Sequence, residues 1–295
     1  MKPMQYLCYT LLLPCFLFSQ AAKADVLDYN HAFSYFEMGF ESISYAEDIK
    51  IQGYDLSMEQ TVFNPIQRSG GYTPFTENSG FYIQTSSTLD ASLKREEWDI
   101  QPFGIVQNNL RKVSLNELNV LYAWLFEQTG YHLVTGMGIT TLAFSRSDFQ
   151  KDVGAPAFEA AIAPTTYTAF PGAISEDSTN ITVNIGLKYD TTFIDPDATT
   201  RWQAGVMLGI PMYYKVVNSQ FPGAEWVSNF QGFDVSADIG YAFQIYEKFM
   251  LNTNAAILYK TRPETDGVAV SGGTGVIPEV TILSARLSTG ISWSF

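Results

Sequence analysis

Hydrophobic and polar residues alternate one by one along much of this chain, most clearly in its second half. One stripe comprises Ile181, Val183, Ile185, Leu187 and Tyr189, and its intervening residues are Thr182, Asn184, Gly186 and Lys188. Successive side chains of a β-strand point to opposite faces, so this pattern predicts a strand with one apolar and one polar face.

The same period of two predicts ten strands in all. They lie near 32–44, 80–88, 98–106, 118–126, 131–144, 181–190, 202–212, 233–243, 249–259 and 280–295. Pro102 weakens the third of these, because proline cannot donate to a strand ladder. Twelve strands is the alternative, since either of the two longest loops could contain a hairpin.

The connections between these strands alternate between short and long. Short ones are predicted near 90–95, 127–130, 191–200 and 244–248, with the charged segment 93–97 as a solvated turn. Long ones are predicted near 45–79, 145–180, 214–231 and 262–278, with a shorter one near 107–113. Membrane barrels have this asymmetry, with short turns at one rim and long loops at the other. The sequence therefore predicts an all-β fold: a transmembrane antiparallel up-and-down β-barrel.

A soluble β-sandwich would show the same alternation, but three features favour lipid on the apolar face. The predicted strands are about as long as a membrane requires. Their polar face is built mainly of Ser, Thr, Asn and Gly. Aromatic residues cluster near strand ends, as in interfacial girdles; they are Tyr189, Trp202, Phe233, Tyr241, Phe243, Phe249, Tyr259 and Trp293.

The N-terminal segment 1–24 has the pattern of an export signal. Lys2 precedes an apolar run at 6–18, and Ala22-Lys23-Ala24 fits a cleavage site. We therefore expect a signal peptide at 1–24 and one barrel domain at 25–295. Both cysteines of the chain lie in the predicted signal, so a disulfide scaffold is excluded.

Charge narrows the functional classes. The chain has a formal net charge of -13, and removing two lysines with the signal leaves 15 basic against 30 acidic residues, or -15. Nucleic acid is excluded as a partner, because binding phosphates requires a basic surface. The acidic residues most simply keep exposed loops solvated.

The end of the sequence carries a recognisable signature: Phe295 is terminal, with Trp293 two residues and Ile291 four residues before it. It resembles the C-terminal signature of Gram-negative outer-membrane β-barrel proteins. The resemblance implies recognition by the barrel-assembly machinery, an outer-membrane location, and contact with membrane lipid and lipopolysaccharide. Length and strand spacing are also similar to those of a solitary autotransporter-type barrel domain.

Several charged residues fall on the predicted inner face: Lys188, Asp190, Asp234, Asp238, Lys260 and Arg286. Charges in a narrow interior are costly unless they are paired or hydrated. One hypothesis is that Lys188 and Arg286 pair with Asp234 and Asp238 and partly plug the lumen. The alternative is a hydrated open channel.

The pattern of residues predicts no metal or cofactor site and leaves three functional classes open. The first is a structural or channel-forming surface protein. The second is an outer-membrane hydrolase of lipid or peptide, although neither His31 nor His132 has a recognisable triad or omptin-like surrounding. The third is an adhesin or receptor with a partner bound at loops 45–79 and 145–180.

Overall fold

Ten antiparallel strands close into a ring in the computed structural model, which describes residues 32–51, 53–126, 129–163, 172–270 and 273–295. The predicted signal peptide and His31 lie outside these residues. The strands of the ring are β1 (Phe33–Ile51), β2 (Tyr54–Thr76), β3 (Ser79–Thr88), β5 (Gly104–Leu125), β6 (Tyr131–Lys151), β7 (Ile174–Asp190), β8 (Thr200–Asn218), β10 (Phe233–Tyr246), β11 (Phe249–Arg262) and β14 (Glu279–Ser294).

The remaining elements are short. Two further strands pair with strands of the ring. β4 (Lys94–Ile100) lies between β2 and β5, and β9 (Glu225–Ser228) lies beside β8. Strands β12 (Val268–Val270) and β13 (Gly273–Gly275) pair only with each other. Helix α1 (Ala155–Ala161) and a 3₁₀ turn (Thr191–Phe193) complete the structure. No helix in the described part of the chain is long and apolar enough to cross a membrane.

The ring closes between the first and last strands. β1 pairs with β14 over a register that runs from Phe33↔Ser294 to Asp48↔Glu279. This pairing brings together the two described ends of the chain, which lie at the same rim as the turns between β2 and β3, β5 and β6, β7 and β8, and β10 and β11. We call this the terminal rim, and the opposite one the distal rim.

Apolar side chains cover the outside of the barrel next to the terminal rim. On β10, Phe233, Val235, Ile239, Tyr241 and Phe243 are all exposed, and the neighbouring strands present similar stripes. These stripes are about as tall as the hydrocarbon layer of a membrane.

Outward aromatic rings border this band on both sides. Near the terminal rim, Trp202 packs on Tyr241 with ring centroids 4.7 Å apart, and near its distal edge Phe233 packs on Tyr259 at 5.8 Å. Rings at the two edges of an apolar band are typical of a transmembrane barrel.

The number of strands in the ring matches the prediction, but one strand differs. The predicted loop 45–79 is instead mostly β-structure, because β1 continues to Ile51 and β2 covers Tyr54–Thr76. Beyond the apolar band the outer face of these strands is polar, as with exposed Glu59, and their inner face mixes polar and apolar side chains, such as buried Gln60 and Met58. The outward apolar stripe therefore ends where the strands continue.

The same reason explains three smaller errors. The predicted turn at 93–97 belongs to β4, the predicted third strand at 98–106 is split between β4 and β5 by a turn, and the connection expected at 107–113 is part of β5. The predicted loop 145–180 contains the end of β6, helix α1 and the start of β7.

Candidate functional site: the barrel interior

A network of ion pairs crosses the middle of the lumen. Arg286 on β14 binds Glu41 through Nε at 2.6 Å and contacts the carboxylate of Glu117 on β5 through Nη1. Lys260 on β11 lies 3.0 Å from Glu117 and 2.8 Å from Asp234. These residues come from strands on several sides of the ring, so their side chains join walls that are not neighbours.

The same network extends along the β10–β11 wall. Arg262 Nη2 lies 2.7 Å from Asp234 Oδ1, and Lys260 also donates to Thr140 Oγ1 on β6 at 3.1 Å. We call Glu41, Glu117, Asp234, Lys260, Arg262 and Arg286 the central network. Burying charges costs free energy that is offset when each charge is paired and hydrogen-bonded. Every charge of this network is paired, although Glu41 Oε2 and Arg286 Nη2 are buried without a hydrogen-bond partner.

A second network lies nearer the distal rim, beyond the apolar band. Arg146 on β6 binds Glu96 on β4 at 2.6 Å and Glu47 on β1 at 2.5 Å, and Arg111 also contacts Glu96. Burial raises the pKa of Glu96, but Arg146 and then Arg111 favour its ionised form more strongly and lower that pKa to about 2. Glu96 is therefore ionised at neutral pH.

Glu176, at the distal end of β7, has the opposite character. It is buried and accepts a hydrogen bond from Asn218 Nδ2 at 3.1 Å. Among the described residues, no lysine or arginine forms an ion pair with Glu176. Burial, followed by repulsion from Glu47, raises the pKa of Glu176 to about 8. Its carboxyl is therefore largely protonated at neutral pH.

Polar groups also line the lumen near the terminal rim. Lys188 lies 3.6 Å from Asp238, Glu37 binds Arg68 at 2.9 Å, and Asp190 accepts hydrogen bonds from Gln203 Nε2 and from a backbone N–H of the adjacent 3₁₀ turn, both at 2.8 Å. Of these two ion pairs, Lys188–Asp238 is the longer.

Apolar layers lie on the two sides of the central network. The distal layer lies between the central and distal networks; its buried residues are Ile43, Tyr45, Val62, Val113, Leu115, Leu142, Phe144, Leu258, Val280 and Ile282. The terminal layer contains Phe33, Tyr72, Tyr82, Leu121, Ala123, Leu125 and Val134. The distal layer comes from β1, β2, β5, β6, β11 and β14, and the terminal layer comes from β1, β2, β3, β5 and β6.

The turn between β7 and β8 completes the terminal layer. It brings Phe193 against Tyr72 and His132, with ring centroids 4.9 and 4.6 Å apart. His132 is fully buried, and its Nε2 lies 2.9 Å from the hydroxyl of Tyr82. The histidine considered for catalysis is thus packed among aromatic rings at the terminal rim.

Polar cavities remain inside the barrel. One of about 90 Å³ adjoins the central network, and one of about 50 Å³ lies nearer the terminal rim. Tyr35, Arg68, Gln84, Lys188 and Asp238 line both of them. Polar cavities of this size hold a few water molecules.

The structure places all six charged residues singled out from the sequence inside the barrel, but pairs them differently from the hypothesis. Lys188 does face Asp238, whereas Arg286 pairs with Glu41 and Glu117, and Asp234 pairs with Lys260 and Arg262. Asp190 makes hydrogen bonds instead of an ion pair within the described ranges.

The most important partners were not singled out from the sequence. Glu117 immediately precedes the apolar stripe of β5, so extending the alternation by one residue would have placed it inside. Glu96 and Arg146 gave no such signal, because they lie where the sequence predicted a turn and a loop. Among the described residues, no three His, Cys, Asp or Glu side chains are grouped so that they could hold a metal ion.

Comparison with known proteins identifies the fold. No protein-family model matches the sequence, and no curated protein sequence is significantly similar to it. The structure is similar to the outer-membrane protease OmpT from Escherichia coli, with a TM-score of 0.65 and 8% identity over 92% of this chain and 99% of that one.

Two further similarities are looser. The translocator domain of the autotransporter NalP from Neisseria meningitidis gives a TM-score of 0.38 at 10% identity over 100% of both chains. The outer-membrane protein OprG from Pseudomonas aeruginosa gives 0.33 at 9% identity over 90% of this chain and 96% of that one. The chain therefore has the fold of Gram-negative outer-membrane β-barrels, and its apolar outer band suits an outer-membrane location.

Proposed function

We propose that this protein is a structural outer-membrane surface protein with an occluded lumen and a rigid extracellular rim. The observation that carries the proposal is the order of the apolar layers and the central network along the barrel axis. The central network joins facing walls, and an apolar layer lies on each side of it. An ion that entered would have to break buried ion pairs in the central network and pass apolar side chains on both sides of it.

The orientation follows from the connections. Outer-membrane barrels place their short turns in the periplasm and their long connections outside the cell. The terminal rim, with its short turns, is therefore assigned to the periplasm, and the distal rim to the exterior.

The distal rim is a folded wall. We call residues 44–51, 54–62, 94–100, 104–113 and 144–151 the palisade. β6 continues from Ser147 to Lys151 beyond its last pairing with β7, a height of about 16 Å at the usual rise of a strand. An apolar cluster that includes Met58 and Trp98 on the palisade packs against Phe158 of α1. A wall with its own core suits a binding platform, which favours the adhesin or receptor class.

The assembly signal belongs to the same proposal. Ile291 and Trp293 on β14 pair on one side with Phe36 and Ser34 of β1, and the N–H of Phe295 donates to the carbonyl of Ala32 at 3.1 Å. We propose that these C-terminal residues are read by the barrel-assembly machinery before β1 arrives, because the seam buries their backbone afterwards.

A hydrolytic function has less support. Similarity to a protease at 8% identity concerns the fold alone. The described histidine, His132, is buried beside Tyr82 far from the palisade.

Solute uptake by proteoliposomes tests the occluded lumen. The purified full-length protein is reconstituted into liposomes, and their swelling is followed in solutions of small sugars. Insertion is verified on a gel, where a folded barrel resists detergent and changes its migration only after heating. We expect swelling no faster than in empty liposomes. Rapid swelling, comparable to that given by an open porin at the same protein-to-lipid ratio, would overturn the proposal.

A further inference from the structure

The distal wall has an unpaired strand edge. β9 pairs with β8 through Val217↔Glu225 to Tyr214↔Ser228, on the side of β8 that β10 occupies lower in the barrel. No other strand pairs with β9, and none of the backbone hydrogen bonds to described residues outside the strands involves Glu225–Ser228. Among the described residues, the backbone N–H and C=O groups of its second edge therefore have no strand partner.

The neighbouring strands of the ring end closer to the terminal rim than β9 and do not pair with this edge. The last residues of β10 and β11 toward the distal rim are Phe233 and Arg262, and β14 begins only one pairing further, at Glu279. The connection between β11 and β14 turns inward instead: Ile277 packs with Trp226 beneath the wall, and Trp226 Nε1 donates to the carbonyl of Gly275 at 2.9 Å. In the described part of the chain, no strand therefore stands beside the second edge of β9, and we call this position the notch.

The surroundings of the notch are apolar next to the strand and acidic beyond it. Val227 on β9 is exposed on the outer face, and Phe230 follows it with a ring that is 69% exposed. Glu264, Asp266 and Glu279 are exposed on the inward-turning connection and at the start of β14. No lysine or arginine among the described residues pairs with these three acids.

We propose that the free edge of β9 binds an extended segment of a partner polypeptide that carries basic side chains. The partner strand would complete the ladder with its backbone, as in other cases of strand addition to an open edge. Its apolar side chains would contact Val227 and Phe230, and its lysines or arginines would face the three acids. Strand pairing supplies affinity, and charge complementarity selects the partner.

The test uses a ten-residue peptide of alternating lysine and valine and the full-length protein in detergent. Binding is measured by fluorescence anisotropy against the same peptide with every second amide N-methylated, which cannot pair as a strand. We expect the methylated peptide to bind at least tenfold more weakly, and a glutamate–valine peptide to show no binding. Equal affinity of the parent and methylated peptides would overturn strand addition.

Photo-cross-linking locates the bound peptide. A benzophenone is attached to the Val227→Cys variant and, as a matched control, to Val217→Cys on β8, whose edges are both paired. Cross-links should form at position 227 and be several-fold weaker at 217. Equal cross-linking at the two positions would contradict the assignment, and cross-linking between two barrels at 227 would replace the peptide by a second copy. Neither result depends on whether the lumen conducts.

Discussion

Arg286 on β14 reaches Glu117 on β5, although β1, β2 and β3 lie between these strands on the shorter way round the ring. The contact spans the lumen and links parts of the chain 169 residues apart. Each partner has a second one: Glu41 for Arg286 and Lys260 for Glu117. Because each of these two side chains is held by two partners, the ion pairs fix the positions of strands on different sides of the lumen.

Replacing Glu117→Ala should destabilise the barrel strongly. It leaves Arg286 and Lys260 buried with one acidic partner fewer each, and breaking a buried pair in this way costs about 3–5 kcal/mol. The measurement is the urea midpoint of unfolding in detergent, read from the heat-dependent gel shift. The control is Glu225→Ala, which breaks the exposed pair with Lys215 and should leave the midpoint nearly unchanged. Equal effects of the two variants would show that the central network adds no stability.

Glu176→Gln should change the dependence of stability on pH. The pKa of Glu176 is about 8 in the folded barrel and near 4.5 in the unfolded chain, so the folded state binds the extra proton and stability falls as pH rises between these values. Glutamine removes this loss, and at about 1.4 kcal/mol per pKa unit we expect the variant to be about 3–5 kcal/mol more stable than the parent at pH 9 and little different at pH 4. Unfolding midpoints at both pH values measure it.

The control for this prediction is Asp177→Asn, which changes an exposed acid on the same strand. It should leave most of the difference between pH 4 and pH 9 intact, because repulsion from Asp177 is the smallest of the effects that raise the pKa of Glu176. If Asp177→Asn and Glu176→Gln had the same effect, the burial of Glu176 would not be the cause.

Gly290→Ala should prevent closure of the seam. A Cβ at Gly290 would lie 1.9 Å from the backbone oxygen of Phe36 on β1, and backbone cannot move aside without breaking the pairing. Gly240→Ala on β10 is the matched change, since its Cβ would come no closer than 3.2 Å, to the end of the Asn254 side chain. We expect refolding to give a heat-shifted band for Gly240→Ala and little or none for Gly290→Ala. Normal closure of both variants would contradict the tight pairing of β1 with β14.

The sequence predicts the part of the barrel that meets lipid, and it does so for a physical reason. Where one face meets hydrocarbon and the other a polar lumen, hydrophobicity must alternate, so stripes such as 181–190 and 233–243 are visible in the sequence. Above the membrane the outer face meets water and this constraint ends. The strands at 45–51 and 54–62 were therefore interpreted as loop. Residues 65–72 pair with 33–40 at the level of the band, and they were missed for another reason: their outward residues, such as Pro65, Gln67 and Thr73, form no apolar stripe.

The interior was predictable by face but not by partner. Alternation places Lys260 and Arg286 inside, yet which carboxylate each one meets depends on the closure and register of the ring. Glu96 on β4 and Arg146 on β6 could not be found this way, because their strands lie above the membrane, where no outward apolar stripe shows which residues face inward.

An arginine placed on the apolar band should lower the stability of the barrel in lipid, whereas an arginine nearer the distal rim should not. Leu187 on β7 and Val217 on β8 are similarly exposed, at 41% and 39%, but only Leu187 lies in the band. We expect Leu187→Arg to lose about 2–4 kcal/mol in lipid vesicles, as arginine near a bilayer midplane does, and Val217→Arg to lose little. Equal stability of the two variants would mean that the band does not contact lipid.

The central claim is that the lumen is occluded, and single-channel recording in planar bilayers tests it most directly. The full-length protein is inserted, and insertion is verified by recovery of the heat-shifted form from the membrane. The account predicts no steady open-channel current in concentrated potassium chloride. Large, steady current steps that scale with the amount of inserted protein would contradict it.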